Sequence, residues 1–462
     1  MRQGFLSGLW SRIAGQKTST SPTPNYQLKI ISRDNHTISR KNISQPALKV
    51  LYKLNDAGHP AYLVGGSVRD LLLGQKPKDF DVATAAIPEE VHRHFRNSRL
   101  IGRRFKLVHV LFGREVIEVA TFRGHHKGED DLSEHQSASS EHGMLLRDNV
   151  YGTMEEDALR RDFTVNALYY CIKDFAIYDY ADGLKDLKAR QIRLIGDPQT
   201  RYREDPVRML RAIRFAAKLD FCISKETEVP IAELAPLLSH IPPARLFEEV
   251  LKLFLAGSAL KTFELLRQYN LFEQLFPVTE ASLKNNDTVA LKLIREALRN
   301  TDSRIQQEKP VTPAFLYAAM LWPAFNQLWH ELMQSGLPAF PALQQAAHEV
   351  IHHQGNATAI PKRFSLPMKD IWELQLRLPK RQGRRAEQLL EHPKFRAGYD
   401  FLLLRESSGE KTDGLGAWWT NYLNANDQQR THLSSDVETT PKARKPRRRK
   451  KPGGAGRKPA TH

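Results

Sequence analysis

The sequence predicts an α+β protein with a small mixed-sheet head, a mostly α-helical neck and body, and a disordered basic C-terminal tail. In the first third of the chain, short apolar runs of strand length are separated by polar and glycine-containing turns. From Glu155 onward, apolar residues recur at helical spacing. From Asn426 to the end this periodicity is lost, which is typical of a disordered segment.

The head carries a strand, a glycine turn and a pair of carboxylates in close succession. Ala61–Val64 is an apolar run of strand length, and Gly65-Gly66-Ser67 follows it directly. Such a turn can present backbone N–H groups and the serine hydroxyl to a triphosphate. Asp79 and Asp81 lie two residues apart, so on a strand both carboxylates point to one face.

Two carboxylates on one face beside a phosphate-binding turn suit two Mg²⁺ ions, which sit roughly 3.5–4 Å apart in such sites. The alternative is a solvated acidic strand edge that follows an ordinary turn. The Gly66-Ser67 pair, about a dozen residues before Asp79, favours the metal site.

Other periodic segments predict the rest of the head and the helices after it. A helix begins at Ser44 and Pro46, because a serine before a proline is a helix-start signal. The further predictions, in chain order, are a helix from Pro88, strands Val108–Phe112 and Val116–Thr121, helices Glu155–Tyr170, Arg203–Leu219, Ala244–Leu255 and Leu260–Leu266, and more helices to about Leu404.

The charge indicates a polyanionic partner. The 462 residues carry a net charge of +17, and ten Lys or Arg lie between Lys442 and Lys458. Because no long apolar span is present, nucleic acid fits better than a membrane as the partner.

The two cysteines, Cys171 and Cys222, are too few for a disulfide framework, so we expect a cytoplasmic protein. Residues 1–17 could form a weak amphipathic membrane-surface helix or a disordered leader.

Gly-Ser, a spacer and Asp-x-Asp together resemble the signature of the nucleotidyltransferase superfamily of DNA polymerase β type. The form Gly-Gly-Ser-Val-Arg-Asp is similar to the class II branch, which contains tRNA CCA-adding enzymes and bacterial poly(A) polymerases. The resemblance covers about residues 43 to 405. It implies that Gly65, Gly66 and Ser67 bind nucleotide, that Arg69 and Asp70 order the phosphate loop, and that Asp79 and Asp81 hold Mg²⁺.

A third active-site acid has two candidates. Asp162 belongs to Arg160-Arg161-Asp162-Phe163-Thr164-Val165-Asn166, which resembles the ribose-selecting motif of the family. The resemblance implies that Arg161 approaches the triphosphate or ribose and that Asp162 and Asn166 shape the sugar site. We therefore predict Asp162 as the third acid. Glu118 is the supporting candidate, on a strand that could lie beside Asp81; it could instead be a structural partner of Arg123.

The next motif predicts a pocket for the base. Glu204 and Asp205 before Arg208 match the Glu-Asp-x-x-Arg template of class II enzymes. On one helix Asp205, Arg208 and Arg211 would share a face, so a carboxylate could accept from the adenine amine and a guanidinium could donate to N1. Cytosine presents the same order of donor and acceptor, so this template alone does not separate the two enzyme types. The alternative is an ion pair on a solvated helix face.

Three features favour a poly(A) polymerase over a CCA-adding enzyme. The segment Leu100–Val110, with Arg103 and Arg104, looks like the one that distinguishes bacterial poly(A) polymerases. No His-Asp phosphohydrolase motif follows in the C-terminal half. The basic run at residues 380–385 and the basic C-terminal tail suit sequence-independent binding to RNA phosphates. The RNA-binding candidates are Arg103, Arg104, Arg384, Arg385, Arg447, Arg448, Arg449, Lys450 and Lys451, whereas Trp372 is predicted to lie in the core.

We therefore interpret the chain as a template-independent polynucleotide adenylyltransferase that uses ATP and Mg²⁺ to extend RNA 3′ ends. A CCA-adding tRNA nucleotidyltransferase and a non-catalytic RNA-binding adaptor on the same fold are the alternatives. Proteins of the RNA-decay machinery are candidate partners. The predicted domains are a leader and linker (1–43), a nucleotidyltransferase head (44–185), a helical neck with the base pocket and an RNA-binding region (186–270), a helical body with the Arg-rich region (271–425) and a basic tail (426–462).

Overall fold

A computed structural model describes residues 26–102, 106–124, 137–139, 145–148, 150–284 and 287–435. The chain divides into two compact units between Leu366 and Pro367. Among the described residues, no helix is both long and apolar enough to cross a membrane.

The head is built on an eight-stranded mixed sheet with the order β1-β10-β9-β2-β3-β6-β5-β4. Its strands are β1 (Lys29–Ile31), β2 (Ala61–Val64), β3 (Asp81–Thr84), β4 (Ser98–Ile101), β5 (Leu107–Phe112), β6 (Glu115–Thr121), β9 (Leu168–Cys171) and β10 (Ile177–Asp179). Two small pairs stand apart from it, β7 (Ser137–Ser139) with β8 (Leu145–Asp148) and β11 (Gln191–Ile192) with β12 (Cys222–Ile223).

The centre of the sheet brings two acids side by side. Strands β3 and β6 run parallel, and Asp81 is the register partner of Glu118. One sheet face packs on helices α1 (Gln45–Asp56) and α3 (Pro88–His94), with buried Val82 and Val119 pointing towards them. Because successive side chains alternate between faces, the two carboxylates lie on the opposite face.

The helix-start signal and the predicted strands in the head are confirmed, except that β3 begins at Asp81 and leaves Asp79 in a bend before the strand. The Ser44 hydroxyl caps α1 by accepting a hydrogen bond from the N–H of Ala47. Helix α2 (Gly66–Leu72) follows the glycine turn, α3 begins at Pro88, and β5 and β6 contain the two predicted strands. The sheet also includes β1, from the segment that the sequence assigned to the leader and linker.

One helix prediction is wrong over most of its length. Instead of a helix over Glu155–Tyr170, the chain forms α4 (Met154–Arg160), a 3₁₀ turn at Thr164–Asn166 and strand β9. Strand β9 is buried on both faces between β2 and β10. A strand buried on both faces has an unbroken run of apolar residues in its sequence. Hydrophobic periodicity alone does not distinguish such a run from a segment of buried helix.

A second predicted helix is broken in two. The segment Arg203–Leu219 contains the end of α6 (Pro198–Glu204) and all of α7 (Val207–Leu219), and Asp205 between them has an extended conformation. Pro206 explains the break, because a proline disfavours helical geometry at the residue before it.

The remaining helices of the first unit form its neck and body. They are α5 (Gly183–Lys188), α8 (Lys225–Glu228), α9 (Ile231–Leu234), α10 (Pro243–Phe254), α11 (Ala259–Gln268), α12 (Phe272–Leu275), α13 (Pro277–Leu283), α14 (Thr288–Gln306), α15 (Pro313–Gln334) and α16 (Ala339–Ala357). The predicted helices Ala244–Leu255 and Leu260–Leu266 correspond to α10 and α11.

The second unit has its own aromatic core. The chain divides within α17 (Lys362–Arg377), and the later helices are α18 (Arg384–Leu390), α19 (Phe395–Ser407), α20 (Leu415–Asn424) and α21 (Asp427–Ser435). Trp419 and Tyr422 pack with Phe395 and Leu402 at its centre. Trp372 is fully buried, so its prediction as a core residue is confirmed.

A glycine contact in the head gives the first testable prediction. A Cβ atom on Gly183 would lie 2.2 Å from the carbonyl oxygen of Thr164, at the 3₁₀ turn that carries Asn166. We expect Gly183→Ala to cost about 1–3 kcal/mol, since backbone must move to make room. The apparent melting temperature measured by calorimetry should fall by several degrees.

Gly355→Ala is the matched control. Gly355 lies in α16, and a Cβ atom there would meet no heavy atom within 4 Å. Alanine is the better helix former, so this variant should melt at the wild-type temperature or slightly above. Equal melting temperatures for the two variants would contradict the crowding at Gly183.

Candidate active site

The glycine turn connects β2 to α2 at the edge of the site. Gly65 has φ +74°, a left-handed conformation that glycine adopts without strain, and α2 begins at the next residue. A Cβ atom on Gly65 would lie 3.5 Å from Nη1 of Arg161, so the turn and this guanidinium are neighbours. The buried Ser67 hydroxyl donates to the carbonyl oxygen of Val64 at 3.0 Å, which fastens the turn to the strand.

Three acids gather at the start of β3. Asp79 is exposed just before the strand, Phe80 is buried, and Asp81 is the first strand residue. Burial, together with the nearby charges of Glu118 and Asp79 and against the opposing effect of Arg161, raises the pKa of Asp81 to about 6. A bound cation would favour the ionised form of Asp81 and so oppose this shift.

Glu118 has a second neighbour on its other side. His109 on β5 is its register partner, and the His109 Nε2 atom lies 3.4 Å from a Glu118 carboxylate oxygen. Both side chains remain partly exposed. The sheet thus places Asp81, Glu118 and His109 in one row across three adjacent strands.

A buried chain of polar contacts, which we call the central network, ties the glycine turn to α7. The Arg69 guanidinium donates to Asp70 at 2.7 and 2.9 Å and to the Asn166 side-chain oxygen at 2.6 Å. Asn166 donates to Asp162 at 3.3 Å, and Arg211 donates to Asp162 at 2.6 Å. Residues that the sequence places far apart are thereby joined in one network.

The central network accounts for the charge state of Asp162. Burial alone would raise the pKa of Asp162, but Arg211, the backbone N–H of Phe163 and Asn166 outweigh it and hold that pKa below its ordinary value. Asp162 is thus an ionised partner of Arg211, whereas Glu118 is the acid that stands in register beside Asp81.

Arg161 is held beside the glycine turn and Asp81. It donates to the Tyr169 hydroxyl at 2.9 Å and to Asp157 at 3.1 Å, and the Tyr169 hydroxyl also donates to Asp157 at 2.6 Å. These contacts raise the pKa of the Arg161 guanidinium against the opposing effect of burial. The guanidinium is therefore fixed and charged beside Gly65 and Asp81.

The predicted base-pocket residues lie where α6 meets α7, but they do not share one helix face. Asp205 is in the break between the helices and accepts from Arg245 on α10 at 2.8 and 3.0 Å. Arg208 donates to Glu204 at 2.8 Å, and Arg211 turns to Asp162. The predicted single row of Asp205, Arg208 and Arg211 is wrong, because Pro206 ends the first helix.

Guanidinium groups are crowded around these elements. Arg160 donates to the carbonyl oxygen of Gly124, and Arg201 donates to those of Arg160 and Arg161. Burial and, secondly, neighbouring arginines lower the pKa values of both Arg160 and Arg201 to about 10. Like charges held this close favour a polyanionic ligand, whose phosphates would relieve their repulsion.

Several predicted residues lie elsewhere. Arg384 and Arg385 are exposed at the start of α18 in the second unit. Outside the described residues lie Arg103, Arg104, Arg447, Arg448, Arg449, Lys450, Lys451 and the segment 1–17. Within the described ranges, no three His, Cys, Asp or Glu side chains form a ready metal-binding group.

Sequence reasoning missed three residues of the site. Arg245 and Tyr169 become partners of Asp205 and Arg161 only through tertiary contacts, so no local pattern identifies them. His109 did leave a signal, because it alternates with the buried Val108 and Val110 and therefore lies on the open face of β5.

The mixed-sheet head, glycine turn and adjacent acids define a nucleotidyltransferase. Models of three domains match the chain: the Poly A polymerase head domain at residues 61–193, the Probable RNA and SrmB- binding site of polymerase A at 220–283, and the Polymerase A arginine-rich C-terminus at 335–452. Poly(A) polymerase I of Salmonella typhimurium is 53% identical over 431 residues, which is 92% of each chain. The chain belongs to the poly(A) polymerase family, and so to the polynucleotide adenylyltransferases.

CCA-adding enzymes are more distant relatives. The CCA-adding enzyme of Lactobacillus gasseri is 32% identical and covers 71% of this chain and 85% of its own. Among solved structures, the Bacillus stearothermophilus CCA-adding enzyme in complex with CTP superposes with a TM-score of 0.53 at 26% identity, over 82% of this chain and 81% of that one.

The raised pKa of Asp81 leads to a test of the acid cluster. The folded protein retains a proton on Asp81 up to about pH 6, whereas the unfolded chain releases it near the ordinary value. Ionising Asp81 therefore costs stability as the pH rises through this window, at most about 3 kcal/mol. In EDTA, Asp81→Asn should raise the melting temperature at pH 8, and this gain should shrink at pH 5.

Asp79→Asn serves as the control, since Asp79 is exposed and its charge is better solvated. It should change the melting temperature little at either pH. A stability gain in Asp81→Asn of the same size at both pH values would show that the raised pKa is not its cause.

Proposed function

We propose that the chain adds AMP from ATP to RNA 3′ ends without a template and releases pyrophosphate. The observation that carries this proposal is the position of Asp81 and Glu118 in register, with Asp79 in front of them and the glycine turn and Arg161 alongside. The family membership supports the same reaction. RNA 3′ ends and ATP are its substrates, and we propose the cytoplasm as its location.

The three acids offer oxygen donors, which are the ligands that Mg²⁺ prefers. The pKa of Asp81 is raised first by burial and then by the charges of Glu118 and Asp79, and a divalent cation would favour its ionised form. Asp79, Asp81 and Glu118 would hold two Mg²⁺ ions. When bound, such ions stabilise the charge that develops on the α-phosphate and increase the nucleophilicity of the RNA 3′-hydroxyl.

The glycine turn and Arg161 suit the triphosphate. Arg161 is held by Tyr169 and Asp157, so its charge is oriented before the nucleotide arrives. Gly65, Gly66 and Ser67 shape the loop, and Arg69, Asp70 and Asn166 keep it in position through the central network. Such pre-oriented groups lower the cost of placing the reacting atoms in line.

The junction of α6 and α7 suits the adenine base. Asp205 offers carboxylate oxygens to the amine, and Arg208 offers N–H donors to the ring nitrogen. Glu204 holds Arg208, and Arg245 holds Asp205, so both groups are anchored from behind. Reading the base with protein side chains would make a nucleic-acid template unnecessary.

We propose Glu118 as the third acid at the metals, in preference to Asp162. Glu118 stands beside Asp81 and remains partly exposed, whereas Asp162 is tied to Arg211 and Asn166. Asp162, Asn166 and Arg211 would then support the sugar side of the nucleotide through the central network. Arg384, Arg385 and the basic tail would add phosphate contacts along the RNA.

Substitution of the acids one at a time tests this assignment. Asp79→Ala and Asp81→Ala should abolish transfer while the protein remains folded. Glu118→Gln should lower kcat by a factor of ~100 or more, equivalent to about 3 kcal/mol. Asp162→Asn should chiefly lower the melting temperature, because it leaves the partly buried Arg211 without its carboxylate partner.

The measurements are kcat with saturating RNA and calorimetric melting of each variant. An active Glu118→Gln enzyme, together with a stable but inactive Asp162→Asn enzyme, would assign the third acid to Asp162 instead. Retained activity in either alanine variant would overturn the metal assignment.

Nucleotide selection tests the reaction itself. The enzyme should be incubated with a single nucleotide at a time, on an arbitrary RNA and on tRNA that lacks its CCA end. We expect open-ended incorporation of AMP on both RNAs. A terminated C, C, A addition confined to tRNA would identify a CCA-adding enzyme, and no incorporation of any nucleotide would indicate an RNA-binding adaptor.

A further inference from the structure

Within the part of the chain that the structure describes, the side chains beyond Glu118 on this sheet face are partly or fully exposed, and they lie on the same face as Asp81 and Glu118. Arg99 on β4 is the register partner of His109, which is the register partner of Glu118. Register partners on neighbouring strands point to the same face. With strands about 4.8 Å apart, His109 lies one strand and Arg99 two strands, about 10 Å, from Glu118.

Other side chains on this face complete a continuous strip. Ile101 and Leu107 are register partners, and Leu111 pairs with Val116. Ile101 is 41% exposed and Val116 is 40% exposed, so these side chains offer accessible apolar surface. We call Arg99, Ile101, Leu107, His109 and Val116 the β4–β6 strip.

Helices of the head pack on the other face of these strands. Helix α3 contacts β4, β5 and β6, and Val108, Val110 and Ile117 on that side are buried. The alternation of buried and exposed residues along β5 and β6 shows that the strip faces away from these helices.

The acids have a cation on each side. Along the same row of register partners, Asp81 is followed by Val64 and then Tyr169, whose hydroxyl holds Arg161. Arg161 and the glycine turn are therefore on the β2 side, and His109 and Arg99 are on the β5 side. The two sides differ in enclosure, because Val64 and Tyr169 are buried whereas Arg99 is exposed.

In-line transfer needs the two substrates on opposite sides of the reacting phosphorus. The attacking 3′-hydroxyl must enter opposite the leaving pyrophosphate. If the triphosphate occupies the Arg161 side, the RNA end must approach from the β5 side. The exposed Arg99 and the partly exposed His109 can contact its phosphate, and Ile101, Leu107 and Val116 offer an apolar surface for a base or ribose.

We propose that the β4–β6 strip binds the 3′-terminal nucleotides of the RNA and aims the 3′-hydroxyl at the acids. This inference rests on the proposed function for its orientation, since the position of the triphosphate decides which side the RNA takes. His109 is then a positioning residue that contacts both Glu118 and the RNA end.

Photocrosslinking tests the strip without requiring turnover. The full chain should be irradiated, in EDTA, with an RNA oligonucleotide that carries 4-thiouridine at its 3′ end, and the modified peptides should be mapped. We expect crosslinks within residues 98–101 and 107–116. Crosslinks confined to other segments, in an enzyme that extends the same RNA, would overturn the strip while leaving the proposed function intact.

Arg99→Ala and Arg93→Ala form a matched pair for kinetics. Both arginines are exposed, but Arg93 lies on α3, which packs on the opposite face of the sheet. Arg99→Ala should raise KM for RNA about 3- to 10-fold, leave KM for ATP unchanged and reduce the salt slope of RNA binding by about 0.7. Arg93→Ala should change KM for RNA less than about twofold.

Equal effects of the two substitutions on KM for RNA would refute a specific role of the strip. A protein partner on this surface would leave both RNA readouts unchanged and would equally overturn the proposal. If the wild-type enzyme incorporated no nucleotide, the proposed function would fail by itself, whereas the crosslink map would still report whether RNA ends bind here.

Discussion

The buried contact between Arg69 and Asn166 is the constraint on which the rest of the site depends. It joins the helix after the glycine turn to the 3₁₀ turn that carries Asn166. From there Asp162 and Arg211 continue the connection to α7, next to the junction of α6 and α7. A charged group buried as deeply as Arg69 is stable only with its partners in place, so the glycine turn and this junction keep a fixed spacing.

The site contains one group of carboxylates and one group of guanidinium groups, and each group holds like charges close together. The charges of Glu118 and Asp79 contribute to the raised pKa of Asp81, and neighbouring arginines contribute to the lowered pKa values of Arg160 and Arg201. In the proposed reaction, a nucleotide with its metal ions would bring charge of the opposite sign to both groups. Charges held in position before the substrate binds are a general way to favour a charged transition state.

Hydrophobic periodicity correctly predicted the helices and strands that bury one face and expose the other. Helix α1 and strands β5 and β6 each bury one face, so their periodicity was readable. Strand β9 is buried on both faces and was mistaken for a helix. In the site, the motif order identified Gly65, Asp81 and Arg208, but the partners Arg245 and Tyr169 follow from tertiary packing. The relation of Glu118 to Asp81 required the parallel register of β3 and β6.

Strand β1 has a consequence for how the protein can be handled. It pairs with β10 through Lys29–Ile31 and covers that strand's outer side. A truncation that removed this short segment would leave the backbone N–H and C=O groups of β10 unpaired at a new sheet edge. Such an edge is a template for pairing with another chain, so shortened versions would gain a route to aggregation without any change in their catalytic residues.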